Sequence, residues 1–359
     1  MIARSQRGVA LLTILLLVVS ITVVAGAMLA SQKIAIRRSG LLFDQNQLLQ
    51  DINAGQQLAV TMIRADNKLN DTDSMQDIWA QPIPPYNFGT HSISIELRDE
   101  ASRFNINNLY QNGAVDTTAL AIFQRLLTQL NLDAEIAIAV LDYQDTDSEV
   151  HEDGGNESVV YTQQSNTIAA NTLPNQPFIS IDQLQEIRGI DADVLAALRP
   201  YITATPYFLA INVNTASPVL LAALIEGGTG EQMQELVAIR EKQALTSVDD
   251  MWQLPLLSSL NEEQRKALTP LLAVDSQAFM ALITATDSAD SDQTRQRFAT
   301  VLIRKTATET ESNSNSNGNN PNNSNPNNNN STLGDASNSD KAKDVKVVTQ
   351  RLWAFRPSF

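Results

Sequence analysis

The stretch RGVALLTILLLVVSITVVAGAMLA, residues 7–30, determines how the rest of the chain is organised, because no charged residue lies between Arg7 and Lys33. A helix of about 22 residues is roughly 33 Å long at a rise of ~1.5 Å per residue, which suffices for the ~30 Å hydrocarbon core of a bilayer. Arg4 and Arg7 precede the apolar run, and basic residues on a short leading segment keep that end in the cytoplasm. The sequence therefore predicts one membrane-spanning helix over residues 9–30, with the bulk of the chain exported.

Three interpretations of this apolar segment are open: a cleaved secretory signal, a permanent single-pass anchor or a prepilin-type leader. A secretory signal has an apolar core of about 7–15 residues before a site of small residues. The run here is longer, although alanines near its end would supply such a site. The order Arg7-Gly8-Val9, at the start of the apolar run, resembles the leader of type IV pilins. That resemblance implies a leader peptide over residues 1–8, cleavage between Gly8 and Val9 by a prepilin peptidase, and methylation of the new amine.

Apolar residues continue at helical spacing beyond the membrane segment. They recur at intervals of seven, four, seven and four residues, as on one face of an amphipathic helix, at Leu41, Leu48, Ile52, Ala59 and Ile63. No proline occurs before Pro82, and the turn-forming sequence ADNKLNDTDS, residues 65–74, ends the pattern. The spacing predicts a stalk over residues 31–66 that continues the membrane helix, with about 84 Å of helix from Val9 to Arg64. A separate soluble helix after the anchor is the alternative.

A predicted strand leads into the most informative motif of the chain. Residues 91–97, HSISIEL, alternate between apolar and polar side chains, as a half-buried strand does. The next segment, DEASRFNINNL over residues 99–109, combines a phenylalanine with asparagines suited to hydrogen bonding of the backbone. It is similar to the DE-x-x-R-F-N-x-N-x-L segment of the general secretion pathway protein K family, the largest minor pseudopilins of type II secretion. The later run INVNTASP, residues 211–218, adds to that resemblance.

The densest group of oxygen ligands is DYQDTDSE, residues 142–149, followed by HEDGGNE, residues 151–157. Closely spaced carboxylates on a loop can converge on Ca²⁺, which takes about six to eight oxygen ligands. The spacing is not that of an EF-hand, and a solvated acidic loop is the alternative. The family resemblance implies a structural calcium site, in which Glu157 matches a family glutamate and an aspartate run matches Asp142, Asp145 and Asp147. Ser158 stands where an acidic residue often follows that glutamate.

Two units over residues 178–200 and 212–252 resemble helix-hairpin-helix modules, which bind DNA through hairpin amides and nearby cations. From Ser180 to Pro255, however, four cations stand against ten carboxylates, a net charge of −6. Asp191 also occupies the place where a second glycine would let a phosphate approach. These features favour a packing scaffold, and a membrane-anchored DNA-binding or DNA-uptake protein is the alternative function.

Composition excludes several classes of protein. The 359 residues include 25 Lys and Arg against 40 Asp and Glu, a net charge of −15, which argues against nucleic acid as a partner. The absence of cysteine excludes disulfides, thiolate nucleophiles and Cys-ligated zinc. The two histidines, His91 and His151, leave little room for a catalytic triad, and no phosphate loop or nucleophile elbow occurs. We therefore expect a protein that is not an enzyme.

The C-terminal part returns to strands. Residues 298–304 and 345–353 are apolar, β-branched runs, whereas residues 312–331 consist almost wholly of Asn, Ser, Pro and Gly and are predicted to be a disordered tether. The expected fold is α+β and pilin-like, with a long N-terminal helix, an antiparallel sheet and a large inserted α-helical domain. Its predicted boundaries are residues 67–111 for the first part of the sheet, 112–275 for the insertion and 276–359 for the second part.

The resemblance to the protein K family implies a role in assembly. It implies a minor pseudopilin of a Gram-negative type II secretion system, held in the inner membrane with its C-terminal bulk in the periplasm. The expected position is the tip of the pseudopilus, beside two smaller minor pseudopilins. The other expected partners are the major pseudopilin, the prepilin peptidase and the inner-membrane secretion platform. Most pilin-like subunits have Glu as the fifth mature residue, where this chain has Thr13; a subunit with no earlier neighbour in the fibre has no need of that carboxylate.

Overall fold

The computed structural model describes residues 5–147, 149–151, 175–187, 189–254, 257, 260–290, 293–306 and 344–359. Its first element is one helix, α1 (Ser5–Leu69), of 65 residues. At ~1.5 Å per residue it is about 98 Å long, so the membrane segment and the stalk are continuous. Lys68 in its last turn faces the negative end of the helix dipole, which stabilises the terminus.

Within the described residues, five strands form one antiparallel sheet, in the spatial order β1 to β5. They are β1 (Tyr86–Phe88), β2 (His91–Asp99), β3 (Ala278–Asp290), β4 (Gln293–Thr306) and β5 (Asp344–Trp353). Gly89, with φ +66°, begins the tight turn between β1 and β2, in the left-handed region that favours glycine. β2 and β3 are hydrogen-bonded neighbours although residues 100–277 separate them in sequence. The expected α+β class, with a long apolar helix and an antiparallel sheet, is confirmed.

The second half of α1 packs on one face of this sheet. Its buried residues are Leu48, Ile52, Ala59, Val60 and Ile63, and they meet isoleucines, valines and alanines of β2, β3 and β4. The predicted apolar stripe is therefore confirmed at four of its five positions. It is wrong at Leu41, which is 47% exposed because buried contacts of α1 with the sheet begin only at Leu48.

The chain between β2 and β3 is mainly helical and has a second hydrophobic core. Two pairs of two-residue parallel strands connect its ends, Phe104–Asn105 with Ile202–Thr203 and Ile211–Asn212 with Leu272–Ala273. We call this part the helical segment. Its helices are α2 (Thr117–Gln129), α3 (Ile136–Asp142), α4 (Ala192–Leu198), α5 (Pro218–Ala223), α6 (Gly230–Lys242), α7 (Val248–Trp252) and α8 (Glu262–Leu268).

Two predicted features lie outside the described residues. One is the proposed calcium ligand Glu157, and the other is the Asn-rich tether over residues 312–331. β4 ends at Thr306 and β5 begins at Asp344, and these two residues face each other in the antiparallel register. Thr306 and Asp344 therefore lie side by side at the same end of the sheet.

Candidate functional site

Three buried asparagines of the motif at residues 99–109 bond the start of the helical segment to its later parts. Asn107 donates from Nδ2 to the carbonyl of Phe178 at 2.9 Å and accepts from the amide of Phe178 at 2.9 Å. Asn108 forms the same pair of bonds with Leu209, at 2.7 and 3.1 Å. Asn105 is equally buried; it donates from Nδ2 to the carbonyl of Tyr207 at 2.8 Å and accepts from the amide of Thr205 at 3.0 Å. Each side chain substitutes for a strand neighbour, which explains why a buried motif is rich in amides.

The predicted calcium ligands lie at the C-terminal end of α3. Asp142 is the last residue of that helix and is fully buried, Asp145 is buried, and Asp147 is exposed. Burial, together with the nearby charges of Asp147 and Asp142, raises the pKa of Asp145 to about 7. Carboxylates at a helix C-terminus also face the negative end of the helix dipole. A cation in this place would offset both unfavourable effects.

Unpartnered buried oxygens occur at the same place. Asp145 Oδ1, Gln144 Oε1 and Asn175 Oδ1 are buried and accept no hydrogen bond from any described residue. Leaving a buried acceptor without a hydrogen bond costs about 1–3 kcal/mol, so these atoms indicate a missing partner. Asn175 also donates from Nδ2 to the carbonyl of Asp147 at 2.8 Å, so it lies beside the predicted ligands. Carboxylate and amide oxygens are the ligands that Ca²⁺ prefers, so the residues present fit that ion.

Among the described residues, Asp142, Asp145 and Asp147 do not form a group whose carboxylate oxygens all lie within 4.8 Å of one another; the fourth predicted ligand, Glu157, lies outside the described residues. In the described residues, three carboxylates whose oxygens all lie within 4.8 Å occur elsewhere, at Asp66, Asp73 and Asp77. Sequence reasoning missed this group, although the acidic run that follows the stalk signals it. Asp73 is ion-paired with Lys305 at 2.5 Å, and both side chains are 2% exposed. Burial and the charges of Asp77 and Asp73 raise the pKa of Asp66 to about 6.

This acidic group connects the end of α1 to the rest of the molecule. Asp73 Oδ2 accepts the amide of Ser276 at 2.7 Å, and the carbonyl of Asp73 accepts from Asn212 Nδ2 at 2.9 Å. Asp77 accepts from the amide of Ser74 at 2.6 Å. Protein groups thus already occupy these carboxylates, and their role is to hold the helical segment at the far end of the stalk.

The membrane segment presents only apolar or internally bonded side chains. Within the described residues one helix is long and apolar enough to cross a membrane, with a mean hydropathy of 2.8 over its best window and none of that window buried. Thr13 donates from Oγ1 to the carbonyl of Ala10 at 2.9 Å, so its hydroxyl needs no partner outside the helix. Exposed apolar side chains continue after the membrane segment, at Ile34, Ile36 and Phe43, each about 70% exposed. This surface is suited to packing against other apolar helices.

The helix-hairpin-helix-like units have their N-terminal amides capped by their own side chains. Asp191 accepts the amides of Asp193 and Val194 at the start of α4, and Thr229 caps α6 in the same way. Arg240 is buried and donates to two backbone carbonyls at 2.6 Å. The amides and the guanidinium that would contact a phosphate are therefore used within the fold.

Comparison with known proteins places this architecture in one family. The family model for type II secretion system protein K matches residues 102–207 and 211–275 in two parts. Type II secretion system protein K of Pseudomonas aeruginosa is 30% identical over 258 residues, covering 69% of this chain and 76% of the relative. The protein of the same name from Klebsiella pneumoniae is 28% identical over 291 residues, covering 77% and 87% of the two chains.

A solved structure shows the same fold. It is a chain of the GspK-GspI-GspJ complex from the type 2 secretion system of enterotoxigenic Escherichia coli, with a TM-score of 0.65 and 21% sequence identity. The match covers 88% of this chain and 99% of that chain. The resemblance first indicated by DEASRFNINNL and INVNTASP is thereby confirmed across the fold. The chain belongs to the type II secretion system protein K family.

Proposed function

We propose that this chain is a minor pseudopilin that caps the tip of the periplasmic pseudopilus of a type II secretion system and initiates its assembly for the export of folded proteins. The main support is the position of the helical segment at the end of α1 away from the membrane. There Gln76 Nε2 donates to the carbonyl of Glu241 at 3.2 Å, and the amide of Asp73 donates to the carbonyl of Val274 at 3.0 Å. A segment of this size above the stalk would obstruct a further subunit stacking on it.

The opposite end of α1 supports the same role. Its apolar side chains are exposed from Val9 to Phe43, as a helix that packs into a bundle of neighbours requires. Thr13 replaces the glutamate that would pair with the terminal amine of an earlier subunit, and a buried carboxylate without such a partner is strongly disfavoured. A first subunit therefore functions better with the uncharged residue. The role is one of assembly and needs no catalytic group.

Processing and location follow from the same proposal. A prepilin peptidase removes residues 1–8 by cleavage between Gly8 and Val9, and the new amine is methylated. The apolar helix then remains as a single-pass anchor in the inner membrane, with the C-terminal bulk in the periplasm. Mass spectrometry of the membrane-extracted protein should find a chain that begins at Val9; an intact Met1 or cleavage near Ala27 would contradict the proposal.

The solved relative suggests the kind of partner. That chain comes from a complex of three components, GspK, GspI and GspJ. We infer that this chain likewise binds two smaller minor pseudopilins, and that the tip complex then meets the major pseudopilin and the inner-membrane secretion platform. The exposed apolar surface of the stalk, at Ile34, Ile36 and Phe43, is suited to such contacts.

Site-specific cross-linking tests the tip assignment, because the chain has no native cysteine. Ile36→Cys on the exposed stalk should cross-link to a smaller minor pseudopilin in assembled fibres. The control Gln232→Cys, exposed on α6 at the far end, should not cross-link to any pseudopilin stacked above it. Immunogold labelling should mark one end of the fibre only. Cross-links from residue 232 to pseudopilins, or label along the whole fibre, would overturn the assignment.

The calcium site is proposed as a structural element of the same subunit. Asp142, Asp145 and Asp147 would hold the ion together with Glu157, and the unpartnered oxygens of Gln144 and Asn175 lie beside them. Bound calcium would supply positive charge to the end of α3 and so stabilise the helical segment. Saturation at about 100 times Kd would add about 2.7 kcal/mol to the free energy of unfolding.

Melting temperatures measured in excess calcium and in chelator test this site. The wild-type chain should melt higher in calcium, and Asp145→Ala combined with Asp147→Ala should lose that shift. The matched control is Glu135→Ala, which removes an exposed carboxylate at the other end of α3 and should keep the shift. If the double variant retains the full calcium shift, these residues do not hold the ion.

A further inference from the structure

A cavity of about 240 Å³ lies between the sheet and the helical segment. The sheet contributes the face turned away from α1, since Thr300 and Leu302 line the cavity while their neighbours Val301 and Ile303 are buried against α1. The helical segment contributes residues 179–182, 199, 202–204 and 206, besides Glu100 and Arg103 at its start. We call this space the arginine cavity, because it is lined by Arg98, Arg103, Arg199 and Arg351.

The charges in the arginine cavity do not cancel. Four guanidinium groups line the cavity together with three carboxylates, those of Glu100 and Asp182 and the terminal carboxylate of Phe359, whose ring lies 4.6 Å from the Arg98 guanidinium. This leaves an excess of one positive charge in a protein whose net charge is −15. Arg98 binds Glu100 Oε1 through Nε at 2.8 Å and through a terminal nitrogen at 2.7 Å. Glu100 Oε2 accepts the hydroxyl of Thr203. Both oxygens of this carboxylate are therefore already used.

The remaining pairs leave one guanidinium without a partner. Arg199 is paired with Asp182 at 2.6 Å, and Arg351 donates to the carbonyl of Ile179 at 3.3 Å. Arg103 makes no side-chain hydrogen bond or ion pair with any described residue, although it is partly buried. Burial and the neighbouring charge of Arg98 lower the pKa of Arg103 to about 10. The protein thus holds a desolvated cation close to another cation, an arrangement that a bound anion would relieve.

Apolar side chains form much of the remaining lining, beside the hydroxyl-bearing residues Ser180, Thr203, Thr300, Thr349 and Ser358. The apolar side chains include Ile202, Met280, Leu302, Val348 and Trp353. A guanidinium binds a carboxylate with two parallel hydrogen bonds, and the apolar walls would take the carbon skeleton that carries it. A bare inorganic anion would leave these walls without contact. The lining therefore favours an organic carboxylate over phosphate.

We propose that the arginine cavity is a binding site for a carboxylate-bearing ligand, with Arg103 as the direct partner of the carboxylate and Arg351 at its edge. The ligand is either a small organic acid or an acidic side chain of a peptide, since both present the same group. This site is independent of the tip assignment and of the calcium site, because no residue is shared between them. It makes the contact between the sheet and the helical segment sensitive to a bound anion.

Thermal unfolding and titration calorimetry of the full chain in non-ionic detergent test the proposal, with calcium held constant. The probes are glutarate, neutral glutaramide, inorganic phosphate and the acetylated, amidated peptide Leu-Glu-Leu. Glutarate, the peptide or both should bind saturably and raise the melting temperature, whereas glutaramide should not. Binding of glutarate alone identifies a small acid as the source, and binding of the peptide alone identifies an acidic side chain.

Variants separate binding from a purely structural role for Arg103. Arg103→Gln should weaken carboxylate binding at least about tenfold, the effect of losing a charge-assisted hydrogen bond. Arg351→Gln, at the edge of the cavity, should weaken carboxylate binding to a smaller extent. It provides the test if Arg103→Gln does not fold. Arg38→Gln, exposed on the stalk, removes the same charge and should leave binding unchanged. Absence of saturable binding, equal binding of phosphate, or an unchanged affinity in both cavity variants would overturn the proposal.

Discussion

The stalk–sheet contact and the junction between sheet and helical segment are both buried, but different forces hold them. In the stalk–sheet contact, Leu48–Ile63 of α1 meet isoleucines, valines and alanines of the sheet. In the junction, buried polar side chains bond to atoms far away in the sequence. We define the junction by Asp73, Asp99, Asn105, Asn107 and Asn108, all of which are at most 3% exposed.

The difference separates stability from positioning. Apolar burial is non-directional, so the stalk–sheet contact stabilises the fold while tolerating small shifts. Hydrogen bonds depend steeply on distance and angle. Those of Asp73 and Asp99 therefore fix where the helical segment stands relative to α1 and the sheet, and those of the asparagines fix the arrangement within the segment. A subunit that caps a fibre needs that second property. Four predictions test the comparison.

The largest effect is expected for Asp73→Ala in the junction. This change leaves Lys305 buried and unpaired, since both side chains are 2% exposed. Breaking a buried pair in this way costs about 3–5 kcal/mol. Urea unfolding followed by tryptophan fluorescence measures the cost, and Lys305→Met added to Asp73→Ala should recover much of it. The control Asp182→Ala breaks a pair in which Asp182 is 56% exposed, and should cost less than about 1 kcal/mol. Equal costs for Asp73→Ala and Asp182→Ala would contradict the comparison.

The next effect concerns pH and Asp99. Burial raises the pKa of Asp99 to about 7, even though Ser276 and Thr215 donate hydrogen bonds to its carboxylate. The folded state therefore binds this proton more tightly than the unfolded state, so its contribution to stability is complete below pH ~4 and is lost as pH rises through ~7. The full shift corresponds to at most about 4 kcal/mol. Asp99→Asn should flatten the fall in stability between pH ~4 and ~7, and an unchanged slope would exclude Asp99 as its source.

A smaller effect should distinguish the two regions at nearly constant volume. Asn107→Asp removes the Nδ2 donor from the carbonyls of Phe178 and Thr205 and buries a charge, which should cost about 2–3 kcal/mol. Ile52→Val in the stalk–sheet contact deletes one methylene and should cost about 1 kcal/mol. Chemical denaturation of both variants measures the two losses in the free energy of unfolding, which can then be compared. If Ile52→Val proves the more costly, the junction is not the more specific contact.

The smallest effect tests close packing in the apolar region. A Cβ on Gly55 would lie 2.6 Å from Ile283 Cγ2, a branched methyl near the backbone that cannot move freely. Gly55→Ala should therefore destabilise by about 1–2 kcal/mol, after about 1 kcal/mol of gain in helix propensity. The matched control is Gly40→Ala on the same helix, where nothing lies within 4 Å and only the gain should remain. A stabilising Gly55→Ala would show that the contact is looser than described.

Part of the molecule could be predicted because local patterns determine it. The spacing of Leu48, Ile52, Ala59 and Ile63 predicted the helix face that the sheet covers, and the alternation of residues 91–97 predicted β2. Asparagines at residues 105–108 were expected to bond the backbone, and they do so. For the helix face and for β2 the pattern is set by neighbours in sequence, whereas the partners of the asparagines lie 71 to 102 residues away and could not be named in advance.

Other features could not be predicted because they depend on contacts between distant residues. The pairing of β2 with β3 across residues 100–277 leaves no trace in either strand. The group of Asp66, Asp73 and Asp77 requires Lys305 from β4 to be buried beside it. The arginine cavity likewise forms only where the sheet and the helical segment meet.

The sequence alone determined the membrane helix, the stalk, the composition-based exclusions and the family, because these depend on periodicity, hydropathy and short motifs. The tertiary structure alone decided which charges are buried, which amides are capped and which guanidinium is left without a partner. The physical reason is the range of the interactions. Helical and strand patterns arise between residues a few positions apart, whereas desolvation and ion pairing depend on all the atoms that the fold brings within a few ångströms.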